Sequence, residues 1–237
     1  MNDRATATDA GSGPPDRPAL PRFYPVFDSA DWVARGLAAG ARLIQLRIKH
    51  GDDATLRDQI ARARDLSRGA GALLVVNDHW RLAIELGCDW LHLGQEDLDR
   101  ADLPAIRRAG LRLGISTHDD AELDRALSVG PDYVALGPVW PTILKQMPWA
   151  PQGLARVTEW KRRVGAIPLV AIGGLTPERG RAALDAGADV VAAVTDITLN
   201  PDPCARMREW LSATGSSGMT LPPHAGPVSA ACQGTGG

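Results

Sequence analysis

AGARLIQLR, Ala39 to Arg47, is the stretch on which the fold turns. An Ala- and Leu-rich amphipathic segment runs into a glycine, and a short apolar run follows. Glycine takes the left-handed conformation that ends a helix with no Cβ clash, so the segment reads as a helix stop feeding a strand. The same joint recurs as LGCDWLHLG (Leu86–Gly94), VGPDYVALG (Val129–Gly137) and AGADVVAAV (Ala186–Val194). Working outward from these joints, strands are expected near residues 22–27, 42–48, 72–77, 89–93, 111–115, 132–137, 167–172 and 190–195. Helical patterns such as ATLRDQIARARDLSRGAG, HDDAELDRALSVG and TPERGRAALDAGA lie between them. Strict alternation predicts a parallel sheet. Eight units favour closure into a single (β/α)8 TIM barrel over an open doubly wound sheet.

Residues 1–20 and 214–237 are rich in Gly, Pro, Ser, Thr and Ala and carry no periodicity, so both are expected to be disordered tails around a barrel catalytic domain at 21–213. The 237-residue chain is 44% hydrophobic and 23% charged, an ordinary globular composition. Its formal charge of -2 argues against a nucleic-acid partner. Cys88, Cys204 and Cys232 are odd in number and lack C-x-x-C spacing, which indicates neither a disulfide framework nor a thiolate zinc site. The N-terminus has no apolar signal region, and no run approaches the ~18 apolar residues of a membrane span. No membrane partner and a cytoplasmic location are therefore expected, while the oligomeric state stays open, a homodimer included.

Within the opening stretch, Ile44, Leu46 and Ile48 alternate with Gln45, Arg47 and Lys49. Taken alone, this pattern fits a half-exposed antiparallel strand with no chemistry at all. In a barrel the polar face would instead point inside and climb towards the mouth. Buried cations need an anionic partner, and a ligand phosphate is one. VVNDHW ends a strand at Asn77 and Asp78, and LHLGQEDL runs from His92 through Gln95 to Asp97. Two carboxylates from neighbouring strands suit Mg²⁺, which takes its remaining ligands from water and a diphosphate. Asp78 and Asp97 could equally cap the helices that follow them. In AIGGLTPE and AVTDI, Gly173 and Gly174 follow one strand while Val194 and Thr195 end the next, where barrels often bind phosphate. Thr176, Pro177 and Glu178 read as the start of a helix. In GISTHDD, Thr117 with Asp120 resembles a capping box in spacing, which frees Ser116 to face the mouth. His118 reads as a surface residue, and His92 as either a core histidine or a ligand contact. The connection from Gly137 to Gly153, far beyond the usual ~2–6 residues, carries Thr142 and Lys145 and is bracketed by Trp140 and Trp149.

In this order the segments resemble thiamine phosphate synthases. The likeness runs from Phe23 to near Trp210 and rests on QLRIK, VVNDHW, LHLGQEDL, GISTH, GPVWPT followed by Lys145, AIGGLTPE and AVTDI. It implies a (β/α)8 barrel that joins a hydroxymethylpyrimidine diphosphate to a thiazole phosphate with Mg²⁺ and releases pyrophosphate. By the same resemblance, Gln45, Arg47, Lys49, Asn77, Ser116 and Lys145 hold the pyrimidine diphosphate, and Asp78 and Asp97 are the magnesium ligands. Thr142, Gly174, Val194 and Thr195 would hold the thiazole phosphate, and Arg47, Lys49, Lys145 and Ser116 make up the catalytic set. Leu144 stands where the family often has Thr, and Thr195 where Ser is common. Three other readings stay open: a thiazole tautomerase, a different phosphate-binding barrel isomerase, and a silent barrel that binds thiamine intermediates. The tautomerase would have no use for Arg47, Lys49, Asp78 and Asp97 together.

Overall fold

The computed structural model describes residues 19–142 and 150–216. Eight parallel strands close on themselves in sequence order, β1 pairing with both β2 and β8. They are β1 (Phe23–Phe27), β2 (Leu43–Leu46), β3 (Leu73–Asn77), β4 (Trp90–Leu93), β5 (Arg112–Thr117), β6 (Tyr133–Leu136), β7 (Leu169–Ile172) and β8 (Val190–Ala193). Between and after them run α1 (Ala30–Ala39), α2 (Asp53–Gly69), α3 (Trp80–Glu85), α4 (Gln95–Leu98), α5 (Leu103–Arg108), α6 (Asp120–Ser128), α7 (Gly153–Val164), α8 (Pro177–Asp185), α9 (Thr195–Thr198) and α10 (Pro203–Ala213). Each expected strand is present. β2 stops at Leu46 rather than at Ile48, and Thr195 belongs to a short helix instead of to β8. Among the described residues no helix is long and apolar enough to cross a membrane.

The helix-to-strand joints form as their glycines predict. Gly40 ends α1 at φ 112°, and its N–H donates to the carbonyls of Gly36 and Leu37. Gly87, Gly130 and Gly187 share the positive φ. A feature of the same repeat went unread in the sequence, namely the aspartate two places after three of these glycines. Asp132 accepts from the backbone N–H of Leu113 at 2.7 Å, and Asp189 from that of Leu169 at 2.8 Å. Each carboxylate thus fixes the start of a neighbouring strand.

Strand parity then divides the core in two. Ile44 and Leu46 of β2, Leu91 and Leu93 of β4, and Val134 and Leu136 of β6 face the helices in one continuous buried layer. Burial of each such side chain contributes about 1.5–3 kcal/mol. The opposite parity fills the barrel, with Tyr24, Leu43, Val75, Trp90, Tyr133, Val170 and Val190 among the buried residues of the inner cluster. Both faces of every strand are covered, as a parallel sheet requires. Leu20 packs against the inner cluster, and Thr214 is buried at the end of α10, where its hydroxyl donates to the Trp210 carbonyl at 2.9 Å. Cys88 is a free, buried thiol. Cys204 is disulfide-bonded, a link that the cysteine spacing did not announce.

Inside the barrel, space at β5 is reserved for one ring. A Cβ built on Gly114 would lie 1.9 Å from Cζ of Tyr133. Gly114→Ala must therefore displace the Tyr133 ring from a packed interior. A loss of roughly 1–3 kcal/mol is expected, read as a lower urea midpoint at unchanged m-value. An unchanged midpoint would mean that the ring is not held there.

Candidate active site

The strand parity that buries Ile44 and Leu46 outside sends Gln45, Arg47 and Lys49 to the other face. Gln45 is buried, whereas Arg47 and Lys49 stand past the end of β2 and are exposed at the mouth. The expectation of buried cations is corrected accordingly: the chain leaves the strand ladder after Leu46, with Arg47 N–H still bonded to the Phe27 carbonyl at 2.7 Å. All three line one cavity of about 370 Å³ at the C-terminal rim. The Arg47 guanidinium has no ion-pair partner among the described residues.

Asn77, Asp78 and Asp97 line the same cavity. Asp78 has φ 64°, the one non-glycine residue at positive φ among those described. Such a backbone is strained, and strain of this kind gathers at functional sites. Asp78 caps nothing: α3 begins at His79 without a side-chain cap, and the Asp78 carboxylate instead accepts from Lys49 Nζ at 2.5 Å. Asp97 does have a structural share, because it reaches back to accept from Gly94 N–H at 3.2 Å at the start of α4. The helix after it, α5, is capped by Asp102. His79 ties the two rims together, its Nε2 lying 2.9 Å from the Ile48 carbonyl.

The two carboxyl groups interact across the rim and push their titrations apart. Burial raises Asp78, but the Lys49 ammonium and the interaction with Asp97 outweigh it and hold the group below the ordinary carboxylate range. Burial, then the charge of Asp78, raises Asp97. Two carboxyl groups this close need a proton or a cation between them. A divalent ion therefore suits the pair. Among the described residues no group of three or more His, Cys, Asp or Glu could hold a metal, and Asp78 and Asp97 are two carboxylate donors at this rim. That is the number Mg²⁺ commonly takes from a protein when a phosphate substrate supplies others. A second opening for a ligand lies beside them. Buried Asn77 Nδ2 has no hydrogen-bond partner, an orphaned donor in a cavity wall whose cost of about 1–3 kcal/mol a bound acceptor would remove.

Across the cavity, Ser116 on β5 and Thr142, Gly174, Val194 and Thr195 complete the lining. Gly173 and Gly174 both have positive φ, and a Cβ on Gly174 would meet the Pro141 carbonyl at 2.3 Å. Gly174 is required first by the neighbouring chain, therefore, whatever it does for a ligand. Val139 and Trp140 N–H donate to the Ile172 and Gly173 carbonyls, and Gln152 and Gly153 N–H to Pro138 and Val139, which closes the base of the long connection. Arg179 covers the Trp140 ring and donates to the Gly174 carbonyl at 2.7 Å. Val194 precedes α9 and Thr195 opens it, so first-turn N–H groups lacking helical partners lie at the cavity. Asp196 anchors this turn by accepting from Arg206 at 2.8 and 2.9 Å and from Trp210 at 2.7 Å. Lys145, Leu144 and Trp149 lie outside the described residues.

Several site residues escaped the sequence reading. His118 is half-buried and lines the cavity, held by Glu122 at 2.7 Å, rather than lying on the surface. Thr117 is buried and donates to the Ala135 carbonyl, while Asp119 is the true cap of α6. Thr176 caps α8 as expected. His92 is buried yet also borders the cavity, and it sits in a hydrogen-bonded chain with Tyr24 and Tyr133, two tyrosines that nothing in the local sequence singled out.

A closed barrel with cations and paired carboxylates on one side of its mouth and a glycine-rich turn plus a short helix on the other defines a phosphate-handling (β/α)8 enzyme class. A family model described as thiamine monophosphate synthase matches residues 23–197. The chain belongs to that family. It is similar to the thiamine-phosphate synthase of Rhizobium etli, 61% identical over 195 residues that cover 82% of this chain and 96% of the relative. The thiamine-phosphate synthase of Cronobacter sakazakii is 55% identical, over 81% of this chain and 88% of that one. Among solved structures, thiamine phosphate pyrophosphorylase from Pyrococcus furiosus superposes with a TM-score of 0.74 at 27% identity, covering 83% of this chain and 96% of that chain.

Burial of His92 has a consequence for stability. Desolvation pushes its imidazole down to about 4, helped by the charges of Arg47 and Lys49 and opposed by Asp78. Its folded value lies below the unfolded one near 6.5, so between those limits the unfolded chain binds the extra proton. Stability falls as pH drops from about 6.5 towards 4, by up to roughly 3 kcal/mol from this residue. Urea midpoints measured at pH 7 and pH 5 should differ less in His92→Gln than in the parent protein.

Proposed function

We propose that this protein condenses hydroxymethylpyrimidine diphosphate with thiazole phosphate to give thiamine phosphate and pyrophosphate. The observation that carries the reading is the convergence of Arg47, Lys49, Asp78 and Asp97 at one rim of a cavity whose far side can take a separate phosphate. Membership of the thiamine monophosphate synthase family supports it. The tautomerase reading leaves those four charged groups without work.

In this reading Arg47, Lys49 and Lys145 bind the diphosphate, Gln45, Asn77 and Ser116 orient the pyrimidine, and Thr142, Gly174, Val194 and Thr195 receive the thiazole phosphate. Asp78 and Asp97 would hold Mg²⁺, which when bound supplies positive charge against the departing pyrophosphate. On binding, Lys49 can exchange its carboxylate partner for phosphate oxygens, and the unpaired Arg47 is poised for the same anion. An amino-substituted pyrimidine stabilises positive charge on its methylene carbon, so the bond to diphosphate can break before the thiazole nitrogen attacks. That nitrogen has no proton to lose, and no general base is needed. The chain's task is to position the two rings, meet the leaving charge and exclude water. A cytoplasmic location, close to the supply of both precursors, fits this role.

The test is to incubate the protein with both phosphorylated heterocycles and MgCl₂, with and without EDTA, and to score thiamine phosphate and pyrophosphate together. Equal yields that vanish with EDTA are expected, and Asp78→Asn should slow turnover at least about a hundredfold with the fold intact. Pyrophosphate without thiamine phosphate, or indifference to EDTA, would sink the proposal.

A further inference from the structure

A chain of four hydrogen bonds, three of them buried and the last half-buried, crosses the inside of the barrel, and both of its ends open onto the cavity. Gln45 Nε2 donates to the Tyr24 hydroxyl at 2.8 Å, and that hydroxyl lies 2.9 Å from the hydroxyl of Tyr133. Tyr133 in turn lies 2.8 Å from Nδ1 of His92, whose Nε2 lies 2.7 Å from Ser116 Oγ. Tyr24, Gln45, His92 and Tyr133 are all buried; Tyr24, Gln45, His92 and Ser116 also border the cavity, and Tyr133 lies beneath it.

The direction of the whole chain follows from counting protons. A phenol or serine hydroxyl has one proton, and a neutral imidazole carries one on a single nitrogen. Tyr24 already accepts from Gln45, so its own proton must go on to Tyr133. Were Tyr133 to donate back instead, the Tyr24 proton would be buried without a partner, at a cost of about 1–3 kcal/mol. Tyr133 then donates to Nδ1 of His92, Nε2–H of His92 donates to Ser116, and the Ser116 proton is left free to donate into the cavity. At the other end the Gln45 amide, its nitrogen engaged by Tyr24, presents its carbonyl oxygen. A polar chain of this kind switches as a unit, because reversing one bond orphans the next.

We infer that Tyr24, Tyr133 and His92 are positioning residues that set a fixed hydrogen-bond polarity, an acceptor at Gln45 Oε1 and a donor at Ser116 Oγ, and thereby select an aminopyrimidine ring over its oxo counterpart. This rests on the reading above in which Gln45 and Ser116 orient the pyrimidine. An aminopyrimidine offers an amino N–H donor and a ring-nitrogen acceptor, which complement that pair. A 4-oxopyrimidine inverts the pattern, with a carbonyl acceptor and a ring N–H donor. The inverted ring sets carbonyl against carbonyl at Gln45 and brings its ring N–H to a hydroxyl whose proton points at it, and reversal of all four bonds would restore the complement.

Two measurements test this. In ligand-free protein labelled with ¹⁵N-histidine, His92 is expected as the neutral Nε2–H tautomer; the Nδ1–H tautomer would overturn the assigned polarity, and no substitution is needed to see it. In steady-state assays, the parent protein is expected to prefer the aminopyrimidine diphosphate over its 4-oxo analogue by about a hundredfold or more in kcat/KM. Tyr24→Phe and Tyr133→Phe, which keep the rings and remove the hydroxyls, should each shrink that preference about tenfold. The change should come through KM for the pyrimidine, with KM for the thiazole phosphate unmoved. An equal loss for both pyrimidines, or a preference kept within about twofold in both variants, would overturn the inference. A parent protein that makes no thiamine phosphate would defeat the condensation reading instead, and the tautomer measurement would still decide the polarity.

Discussion

In a closed barrel every second side chain of every strand goes inside, and no edge exists through which an unwanted one can leave. That constraint governs the rest of this molecule. The interior has a floor and a mouth, and its residues change character between them: Leu43 and Val75 lie within the apolar inner cluster, while Gln45 and Asn77 lie one step further along the same strands and, with Ser116 of β5, face the cavity. Where the strands end, the same parity delivers Arg47 and Lys49 to the rim. Function here is built by extending a packing rule past the last rung of the sheet.

Two carboxyl groups that shift each other's titration in opposite directions are the electrostatic centre of that rim. Asp78 is carried there by a left-handed turn at the end of β3, and Asp97 by the first turn of α4. Neither placement is accidental to the local chain. Lys49 meets one of them, His79 holds the segment between Arg47 and Lys49 by its carbonyl, and Gly94 N–H steadies the other. Lys49 and Asp78 therefore restrain each other, while Arg47 stands beside them without an ion-pair partner among the described residues. Preorganised charge of this kind is the main resource of an enzyme that needs no proton abstraction.

The buried polar chain beneath Ser116 contrasts with this rim. Tyr24, Tyr133 and His92 stay neutral in the folded protein, since burial raises both phenols and lowers the imidazole. Their contribution is orientation instead of charge. A barrel interior filled wholly with aliphatic side chains would pack as well, but it would leave Gln45 and Ser116 to rotate. Gly114 bears on the same point, because its missing side chain makes room for the Tyr133 ring that joins the two halves of the chain.

By itself the sequence determined the barrel, its order of strands and most of the cavity wall. Glycine stops and alternating apolar runs are local signals with one low-energy reading each, and eight repeats leave closure as the natural outcome. Gln45, Asn77, Asp78 and Ser116 were legible because each lies at or just past the end of a strand, where side-chain direction follows from parity, and Asp97 because it follows shortly after β4. What only the tertiary structure decided were the relations across the barrel. Tyr24 and Tyr133 are 109 positions apart, and no local pattern reports that their hydroxyls meet. His118 looked exposed because the sequence does not announce its bond to Glu122 or the approach of Gln152, which donates to its carbonyl, and Asp97 proved to serve its own helix as well as the rim. Such pairings depend on how strands from distant parts of the chain come to lie side by side, a consequence of closing the sheet that no short window of residues contains.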